Sequence, residues 1–470
     1  MRNRMFLIFS LATGRMFFIN HSGEGGSWQG ATDQNVQCTL VSMRGLDNAT
    51  YYSLVQSDKS SYWETTGCGN NLQCDNPYVR QFILDSLSYW TDEMGVDGFR
   101  FDLATVLGRE LNSSSGNWDY NENSETLKKI VSLGNSKNIE MIAESWDTGG
   151  NSYQVGNFPA GWGGWNGRYR DALRGYVGGG NRGVVNNYIY GDYDNFNKEG
   201  GPHKSVNFIV AHDGFTLADL CSYSGAGNAQ NGQLEWPFGP SDGGNGDNNN
   251  IVFGDDKALR RQANRNYSVI QMISRGVPMI VWGDEFCRTQ NGNNNPYNID
   301  SVATWNNYNM INTDSPHTVP TGGEGSYHNN FGTFGNKDNK NGNFVFMQYI
   351  MNMRAKDPAL RQKDYSVAYD FKKEDGSSTL NDGDKCVWLK INGSSVTGGH
   401  DYLVFMNMYS GEVSFTVPVA TNGVWKRVVD TQSFFESEYN CWSPETGETI
   451  SEKYGVKPYS VVILMCVSSD

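Results

Sequence analysis

The sequence has no long hydrophobic run and relatively few basic side chains. No stretch of about 20 apolar residues occurs, so the chain predicts no membrane-spanning helix. The 37 Lys and Arg are outnumbered by 51 Asp and Glu, which gives the 470 residues a formal net charge of −14. Because such a chain repels polyanions, nucleic acid is excluded as a partner. Because it has no long apolar run, no membrane partner is predicted.

Cysteine is also sparse. Eight cysteines in 470 residues do not indicate a disulfide framework. Cys68 and Cys74 lie close together in sequence, but no neighbouring Cys or His completes the spacing of a zinc site. We interpret both as free thiols, with a bridge in an oxidising compartment as the alternative. No metal site and no cofactor is predicted.

Aromatic side chains are plentiful by comparison. They make up 13% of the chain, with 13 Trp and 25 Tyr. Aromatic faces can stack on sugar rings, although many of these residues are expected in the core. The length is sufficient for a large domain and a smaller one.

The most informative segment is residues 95–102, which read Gly-Val-Asp-Gly-Phe-Arg-Phe-Asp. It predicts a short buried strand that ends in a cation and a carboxylate. Because side chains alternate along a strand, we expect Arg100 and Asp102 on one face and Phe99 and Phe101 on the other. Arg100 should hold Asp102 ionised, which suits nucleophilic attack. A structural Arg–Asp pair is the alternative.

Two further apolar segments also end in carboxylates. Residues 139–144 end in Glu144, and residues 206–213 end in Asp213. Near-continuous apolar strands separated by helix-sized segments are typical of a parallel α/β barrel. Since active sites of such barrels lie at the carboxyl ends of the strands, we expect Asp102, Glu144 and Asp213 to share that rim.

The same segments carry a family resemblance. The matching motifs are, in chain order, residues 17–21, 95–102, 143–150, 165–171, 211–217 and 283–295. In this order they resemble the α-amylase superfamily of glycoside hydrolases, and within it the isoamylase-type debranching enzymes of starch and glycogen. The resemblance extends from residue 16 to the end of the chain. It implies a (β/α)8 TIM barrel of the α-amylase type and a C-terminal all-β sandwich domain.

The resemblance implies hydrolysis of α-1,6-glucosidic branch linkages in glycogen, amylopectin or related glucans by a retaining double displacement. Asp102 would be the nucleophile, and Glu144 the acid/base, whose environment should raise its pKa. Asp213 would bind sugar hydroxyls and favour the oxocarbenium-like transition state. The substrate-binding residues would be Asn20, His21, Arg100, Trp165 and His212. Structural roles are the alternatives for both histidines, and core packing is the alternative for Trp165.

The domain organisation follows from the same patterns. Residues 1–14 are left unassigned, 15–375 form a partial catalytic barrel with a loop-rich insertion at 21–76, and 376–470 form the β-sandwich. Helices are predicted to begin at Pro77 and to span 121–137, 256–275 and 343–356. Further strands are predicted at 16–20, 277–282, 386–391, 402–406 and 460–466.

The N-terminal region departs from the family. Its first matching strand corresponds to the third of the barrel, and the N-terminal β-sandwich usual in debranching enzymes is absent. We therefore expect an incomplete gene model or a fragment rather than a six-stranded variant. Residues 1–12 resemble a short signal peptide, but an arbitrary start within a longer gene is the simpler explanation. The compartment stays open, with plastid or cytoplasm favoured over secretion.

Other departures concern single residues. Met16 replaces a usual aspartate, Ser145 a usual proline and Gly164 a usual glutamate, and Ser301 and Val302 stand where Asn-Glu is usual. Together these departures are expected to alter branch-length preference. Asp247 and Asp284 are interpreted as solvated loop acids, and nothing in the motifs indicates calcium.

Two classes of function are compatible with the sequence. The first is a debranching glycoside hydrolase whose partner is a branched α-glucan. Within the enzymes, a related α-1,4 or α-1,6 specificity, as in pullulanase-type relatives, is a further alternative. The alternative class is a non-catalytic isoamylase-like subunit that binds glucan, or an inactive fragment. Intact Arg100, Asp102, Glu144 and Asp213 favour the enzyme, because a scaffold does not need them, whereas the missing barrel strands favour the alternative. Homo- and hetero-oligomers both remain open.

Overall fold

A computed structural model describes residues 43–67, 69–178, 185–223, 256–290, 292–294, 305–312, 338 and 340–468, together with the backbone of 6–9. The chain divides into two compact units. Unit 1 comprises Met1–Asn166 and Tyr193–Val206, and unit 2 comprises Gly167–Asp192 and Asn207–Asp470. In the described part of the chain, no helix is both long enough and apolar enough to cross a membrane.

The α-helices of the described residues are α1 (Arg44–Tyr51), α2 (Pro77–Asp92), α3 (Glu125–Lys137), α4 (Gly167–Val177), α5 (Val185–Ile189), α6 (Tyr193–Phe196), α7 (Leu217–Leu220), α8 (Lys257–Ile273) and α9 (Gly342–Lys356). The strands are β1 (Phe6–Phe9), β2 (Leu54–Val55), β3 (Asp58–Tyr62), β4 (Gly98–Phe101), β5 (Arg109–Asn112), β6 (Asn117–Tyr120), β7 (Glu140–Ala143), β8 (Gly163–Trp165), β9 (Ser205–Phe208), β10 (Val277–Met279), β11 (Tyr369–Lys372), β12 (Cys386–Ile391), β13 (Tyr402–Asn407), β14 (Val413–Val417), β15 (Val424–Asp430), β16 (Thr449–Ile450), β17 (Glu452–Val456) and β18 (Ser460–Val467).

Unit 1 is built on a parallel sheet in which β1, β4, β7, β8 and β9 pair in that order. The strands predicted at 95–102 and 139–144 are β4 and β7. Phe101 at the end of β4 lies opposite Ala143 at the end of β7. Because these two strands end level with each other, the residues that follow them, Asp102 and Glu144, come side by side at the carboxyl edge of the sheet.

The first strand differs from the expectation. The strand predicted at 16–20 lies outside the described residues. The strand that pairs with β4 is β1, which lies in the unassigned N-terminal segment that resembles a signal peptide. Its Phe-Leu-Ile-Phe sequence fits a buried parallel strand as well as an apolar leader, so periodicity alone does not separate the two interpretations.

The helix predicted to begin at Pro77 is α2. It starts after Asn76, whose side-chain oxygen accepts a hydrogen bond of 2.9 Å from the backbone N–H of Tyr78. Its buried side chains lie four residues apart, at Val79, Ile83 and Leu87. Phe82 is 40% exposed and lies beside the buried row rather than in it.

Unit 2 contains α8 and α9, which correspond to the helices predicted at 256–275 and 343–356. Asp256 caps α8 by accepting hydrogen bonds from the backbone N–H groups of Ala258 and Leu259. The strand predicted at 277–282 is limited to β10.

The C-terminal part of unit 2 is an antiparallel sheet with strand order β11, β12, β13, β18, β15, β16. It includes the strands predicted at 386–391, 402–406 and 460–466. The separate β14–β17 pair packs against it around a shared apolar cluster, in which the rings of Phe405 and Phe415 stack with centroids 5.0 Å apart. The sheet begins at Tyr369, on the N-terminal side of the expected boundary at residue 376.

The third carboxylate-bearing segment is not a strand throughout. The prediction extended it from 206 to 213, but β9 ends at Phe208. Ile209 and Val210 are buried in the core of unit 2 without belonging to the strand, so the apolar run reflects burial rather than continued sheet pairing. Asp213 therefore lies in a loop and not at the strand end, where it was expected.

Candidate active site

The centre of the candidate site is Arg100 on β4. Its Nη1 forms an ion pair with Asp102, and its Nη2 lies 3.0 Å from Oε2 of Glu144. The alternation predicted for this strand is confirmed, because Phe99 and Phe101 are fully buried in an apolar cluster with Trp162. A single buried guanidinium thus contacts both carboxyl groups.

Glu144 is only 7% exposed, and this burial raises its pKa to about 7. Arg100 opposes the shift by favouring the charged form, whereas the neighbouring carboxylate of Asp102 and a hydrogen bond with it raise the pKa. The backbone N–H of Leu103 donates to Oε2 of Glu144 at 2.7 Å, which also favours the charged form. The raised pKa expected from the sequence is confirmed, so a large fraction of Glu144 carries a proton near neutral pH.

Leu103 makes this contact from a strained backbone conformation. Its φ of 45° and ψ of 47° lie in the left-handed region, which a non-glycine residue rarely adopts. The turn brings the chain directly from Asp102 to the N–H that contacts Glu144. Leu103 is not among the residues predicted for the site, because leucine gives no sequence signal for a left-handed turn.

Trp165, at the end of β8, packs directly on Arg100. The guanidinium carbon lies 4.2 Å from the centre of the Trp165 ring, a cation–π arrangement, and the residue is buried. Its observed contact is therefore with Arg100, which it helps to hold in place. The sugar contact suggested by the resemblance stays a prediction.

Two residues that depart from the family pattern are neighbours in space. A Cβ atom built on Gly164 would lie 3.1 Å from Oγ of Ser145 and 3.4 Å from the ring of Phe196. A side chain at position 164 would therefore require these neighbours to shift. The two departures form one local feature beside Glu144, and their effect on branch-length preference stays a prediction.

A buried ion pair fixes the segment that follows Glu144. Arg109 on β5 binds Asp147 through two hydrogen bonds, from Nε at 2.7 Å and from Nη2 at 2.9 Å. Asp147 also accepts hydrogen bonds from Thr65 and from the backbone N–H of Gly149. Because Arg109 donates to the carbonyl of Gly150 as well, it holds both the carboxylate and the backbone of this segment. Arg109 was not identified from the sequence, since it lies outside every matching motif.

An aromatic pair lies in the same segment. The rings of Trp146 and Tyr153 are stacked, with centroids 5.8 Å apart and an angle of 9° between their planes. Tyr153 is exposed and Trp146 is half-buried. The pair gives unit 1 an accessible aromatic surface close in sequence to Glu144.

Unit 2 contains the third predicted carboxylate. The side chain of Asp213 is 65% exposed, and its Oδ2 lies 3.2 Å from Nε2 of His212. Asn20 and His21 lie outside the described residues, so their predicted roles stay predictions. Among the described residues, no group of three or more His, Cys, Asp or Glu side chains is arranged to hold a metal ion.

The interpretation of Asp284 as a solvated loop acid is wrong. It is 2% exposed, and its carboxylate accepts hydrogen bonds from the backbone N–H groups of Leu217 and Val281. Burial raises its pKa to about 7. Asp219 on α7 is similar, because burial raises its pKa to about 6 and the backbone N–H of Gln290 donates to it at 2.7 Å. These acids organise the loops of unit 2. Asp247 lies outside the described residues.

Comparison with known families agrees with this architecture. Residues 66–394 match the model of the α-amylase catalytic domain, and residues 368–465 match the model of the isoamylase C-terminal domain. The chain therefore belongs to the α-amylase family. The predicted resemblance to its isoamylase-type members is confirmed.

Individual relatives include isoamylases and a glycogen operon protein. An isoamylase from Flavobacterium sp is 37% identical over 95% of this chain and 57% of its own length. A glycogen operon protein GlgX homolog from Mycobacterium tuberculosis is 39% identical over 62% of this chain and 39% of its own. The chain spans about half the length of the isoamylases that it matches.

Solved structures support the fold. The pullulanase type I from Bacillus subtilis complexed with maltose has a TM-score of 0.63 at 16% identity, covering 99% of this chain and 54% of that one. The pullulanase from Bacillus acidopullulyticus has a TM-score of 0.61 at 20% identity, covering 93% and 46% respectively. The predicted combination of an α-amylase-type α/β domain and a C-terminal β domain is confirmed.

Proposed function

We propose that this chain carries the catalytic site of a glycoside hydrolase that cleaves α-1,6 branch linkages of glycogen, amylopectin or a related glucan. The observation that carries the proposal is the pair of adjacent carboxyl groups at Asp102 and Glu144, both contacted by Arg100. The environments of the two groups differ, because Glu144 is buried with a pKa of about 7, whereas Asp102 forms an ion pair with Arg100. Two carboxyl groups in different environments are what acid and nucleophile roles need.

The closeness of the two groups favours retention of configuration. A hydrogen bond joins the carboxyl groups of Asp102 and Glu144, which leaves no room for a water molecule between them. Inverting enzymes need carboxyl groups about 6.5–9.5 Å apart to hold that water, whereas retaining enzymes place them about 5–5.5 Å apart. A sugar that enters would separate the pair by breaking this hydrogen bond.

The reaction would proceed in two displacements. An oxygen of Asp102 attacks the anomeric carbon while Glu144 donates its proton to the departing glycosidic oxygen, which leaves as the hydroxyl of the released chain. Glu144, now a carboxylate, removes a proton from water as the water attacks the same carbon. The bond to Asp102 breaks, and Glu144 is again protonated. His212 and Asp213 are proposed to bind sugar hydroxyls, as the resemblance implies.

The linkage is assigned by similarity. The relatives are named isoamylase and glycogen operon protein, and the resemblance to isoamylase-type enzymes implies α-1,6 branch points as the bond cleaved. A branched α-glucan is therefore the proposed substrate.

Release of reducing ends from amylopectin tests the proposal. The protein should release them, and Asp102→Asn and Glu144→Gln should each abolish release. Glu140→Gln is a matched control, because Glu140 begins the same strand and pairs with Lys204 away from the site. A glycosyl fluoride separates the two roles, since its leaving group needs no proton. Glu144→Gln should retain the first displacement on the fluoride, and Asp102→Asn should not.

Binding of amylopectin without release of reducing ends would overturn the hydrolase proposal and favour a non-catalytic glucan-binding subunit. Release that Asp102→Asn leaves unchanged would overturn the assignment of the nucleophile.

A further inference from the structure

Unit 2 contains a cavity of about 510 Å³ between α9 and the C-terminal sheet. Its volume lies within the range of small-molecule binding sites. None of its lining residues belongs to the carboxylate site of unit 1, and no part of the proposed reaction uses it. Its lining residues come from α9, from β13 and β18, and from the segments that contain His400 and Cys441.

Helix α9 lines the cavity with two parallel rows of side chains. Val345, Tyr349 and Met353 form an apolar row that is half-buried. Gln348, Asn352 and Lys356 form a polar row that is exposed. Within each row the residues are four apart, so both rows run along the helix for about 12 Å at a rise of 1.5 Å per residue.

The polar ends of the aromatic side chains are already bonded within the protein. The hydroxyl of Tyr349 donates to the carbonyl of Trp442 at 2.5 Å, and the hydroxyl of Tyr402 donates to Asp357 at 2.6 Å. The two tyrosines therefore offer the cavity their ring surfaces rather than their hydroxyls.

The rim, in contrast, offers polar atoms. Among the described residues, the amides of Gln348 and Asn352 have no hydrogen-bond partner in the protein. His400 is fixed by Asp357, because its Nδ1 lies 2.9 Å from Oδ2 of that buried carboxylate. A carboxylate only accepts, so Nδ1 of His400 carries the hydrogen in this contact.

The charges of the cavity do not favour an ion. Lys356 is a single exposed cation, and Asp357 is buried with its Oδ2 occupied by His400 and Tyr402. A ligand that matches an apolar floor beside a row of amides is neutral, with apolar ring faces and hydroxyl groups repeated along its length. A linear α-glucan chain has this chemistry.

We propose that this cavity is a second binding site for a linear segment of α-glucan. The inference rests on the proposed function only for the identity of the polymer. A site of this kind binds glucans that contain linear segments, which polymers have and short branched oligosaccharides lack. It would therefore favour polymers over short branched oligosaccharides.

Alkylation at Cys441, which lines the cavity, provides a direct test with maltohexaose as the probe. Maltohexaose should slow the reaction of iodoacetamide with Cys441 in the full chain carrying Asp102→Asn, as read by mass spectrometry. Cys466 is the internal control, because its strand neighbour Met465 lines the cavity and alternate side chains point to opposite faces. Protection of Cys441 and not of Cys466 is expected.

Variants test the rim. The double variant Gln348→Ala with Asn352→Ala removes only exposed amides, so the fold should be unaffected. Because two hydrogen bonds to the sugar are lost, the maltohexaose concentration that gives half-maximal protection of Cys441 should rise about tenfold. Met351→Ala is the matched control, because Met351 is exposed on the same helix but does not line the cavity. The double variant should also raise KM for amylopectin and leave KM for a short branched oligosaccharide unchanged.

Equal alkylation of Cys441 with and without maltohexaose would overturn the proposal. So would protection by an apolar dye with which maltohexaose does not compete, because the cavity would then accept apolar molecules and not sugars. Neither result bears on hydrolysis, and loss of hydrolysis would leave the protection of Cys441 in place. The two proposals therefore fail separately.

Discussion

The Nη2 atom of Arg100 lies 3.0 Å from Oε2 of Glu144, and the Nη1 atom of the same guanidinium pairs with Asp102. One cation is thus shared by two carboxyl groups that the proposed reaction needs in different protonation states. Trp165 beneath the guanidinium and the buried strand that carries it limit its movement. Arg100 is therefore placed to influence the charge of both groups at once.

Removal of this cation should raise the pKa of Glu144. Arg100 favours the charged carboxylate, so Arg100→Gln should shift the pKa upward from its value of about 7. Carbon NMR titration of Glu144 measures this without requiring activity, and the alkaline limb of the pH profile should move the same way in any activity that remains. Arg170→Gln is the control, since the ion pair of Arg170 with Asp171 is on the surface. A pKa that falls or stays constant would contradict the role given to Arg100.

The raised pKa of Glu144 also predicts a pH-dependent cost in stability. Its folded-state pKa of about 7 exceeds the ordinary value of 4.5, so the folded state binds this proton more tightly than the unfolded state. The stability this provides is complete below pH 4.5 and is lost as the pH rises through 7. The variant Glu144→Gln does not titrate at this position. The difference in unfolding free energy between the variant and the wild type should therefore change in favour of the variant by up to about 3 kcal/mol from pH 5 to pH 8.

Thermal unfolding of the wild type and of Glu144→Gln at pH 5 and at pH 8 checks this prediction. The Tm of the variant relative to that of the wild type should be higher at pH 8 than at pH 5. Glu140→Gln, at the half-exposed beginning of the same strand, is the control for removal of a carboxylate from β7. A Glu144→Gln variant that is equally stabilised or destabilised at both pH values would show that burial does not control this carboxyl group.

Much of the site could be predicted because its chemistry is contained in short segments. Alternation along β4 placed Arg100 and Asp102 on one face, and the apolar runs before Asp102 and Glu144 predicted the paired strands. Short-range periodicity is sufficient for such features, since it depends on neighbouring residues alone.

Other parts depend on contacts between residues distant in sequence. Nothing local connects Arg109 with Asp147, and nothing in the pattern shows that Asp284 is buried rather than solvated. The run of residues 206–213 is apolar because Ile209 and Val210 enter the core of unit 2, which periodicity cannot distinguish from a longer strand. These features required the three-dimensional fold.

The ion pair between Arg109 and Asp147 should be important for stability. Both side chains are buried, so Asp147→Asn leaves a charged guanidinium without its partner and should cost about 3–5 kcal/mol. The double variant Arg109→Met with Asp147→Leu removes both charges and should cost less than the single change. As a control, Glu412→Gln breaks the half-exposed pair with Lys457 and should cost about 0–1 kcal/mol. Thermal or denaturant unfolding measures all three.

If the double variant at Arg109 and Asp147 loses as much stability as Asp147→Asn, the cost lies in packing and not in the unpaired charge. An effect of Asp147→Asn as small as that of Glu412→Gln would show that the pair is not buried in solution.

A second buried cluster of charges predicts where unit 2 is sensitive. Glu436 accepts hydrogen bonds from Nε and Nη2 of Arg261 and lies 3.0 Å from Nη2 of Arg265, both on α8. Burial lowers the pKa of Arg265, and Glu436 counteracts this by favouring the charged form. Because Glu436→Gln leaves two largely buried guanidinium groups without a carboxylate, we expect the free energy of unfolding to fall by about 3–5 kcal/mol and hydrogen exchange in α8 to become faster.

The control is Glu438→Gln. The Glu438 side chain accepts a hydrogen bond from Trp442 at an exposed position, so its replacement should have little effect. Equal hydrogen exchange in the two variants would mean that Glu436 does not hold α8 to the C-terminal segment, whereas faster exchange confined to α8 in Glu436→Gln would show that this one carboxylate connects them.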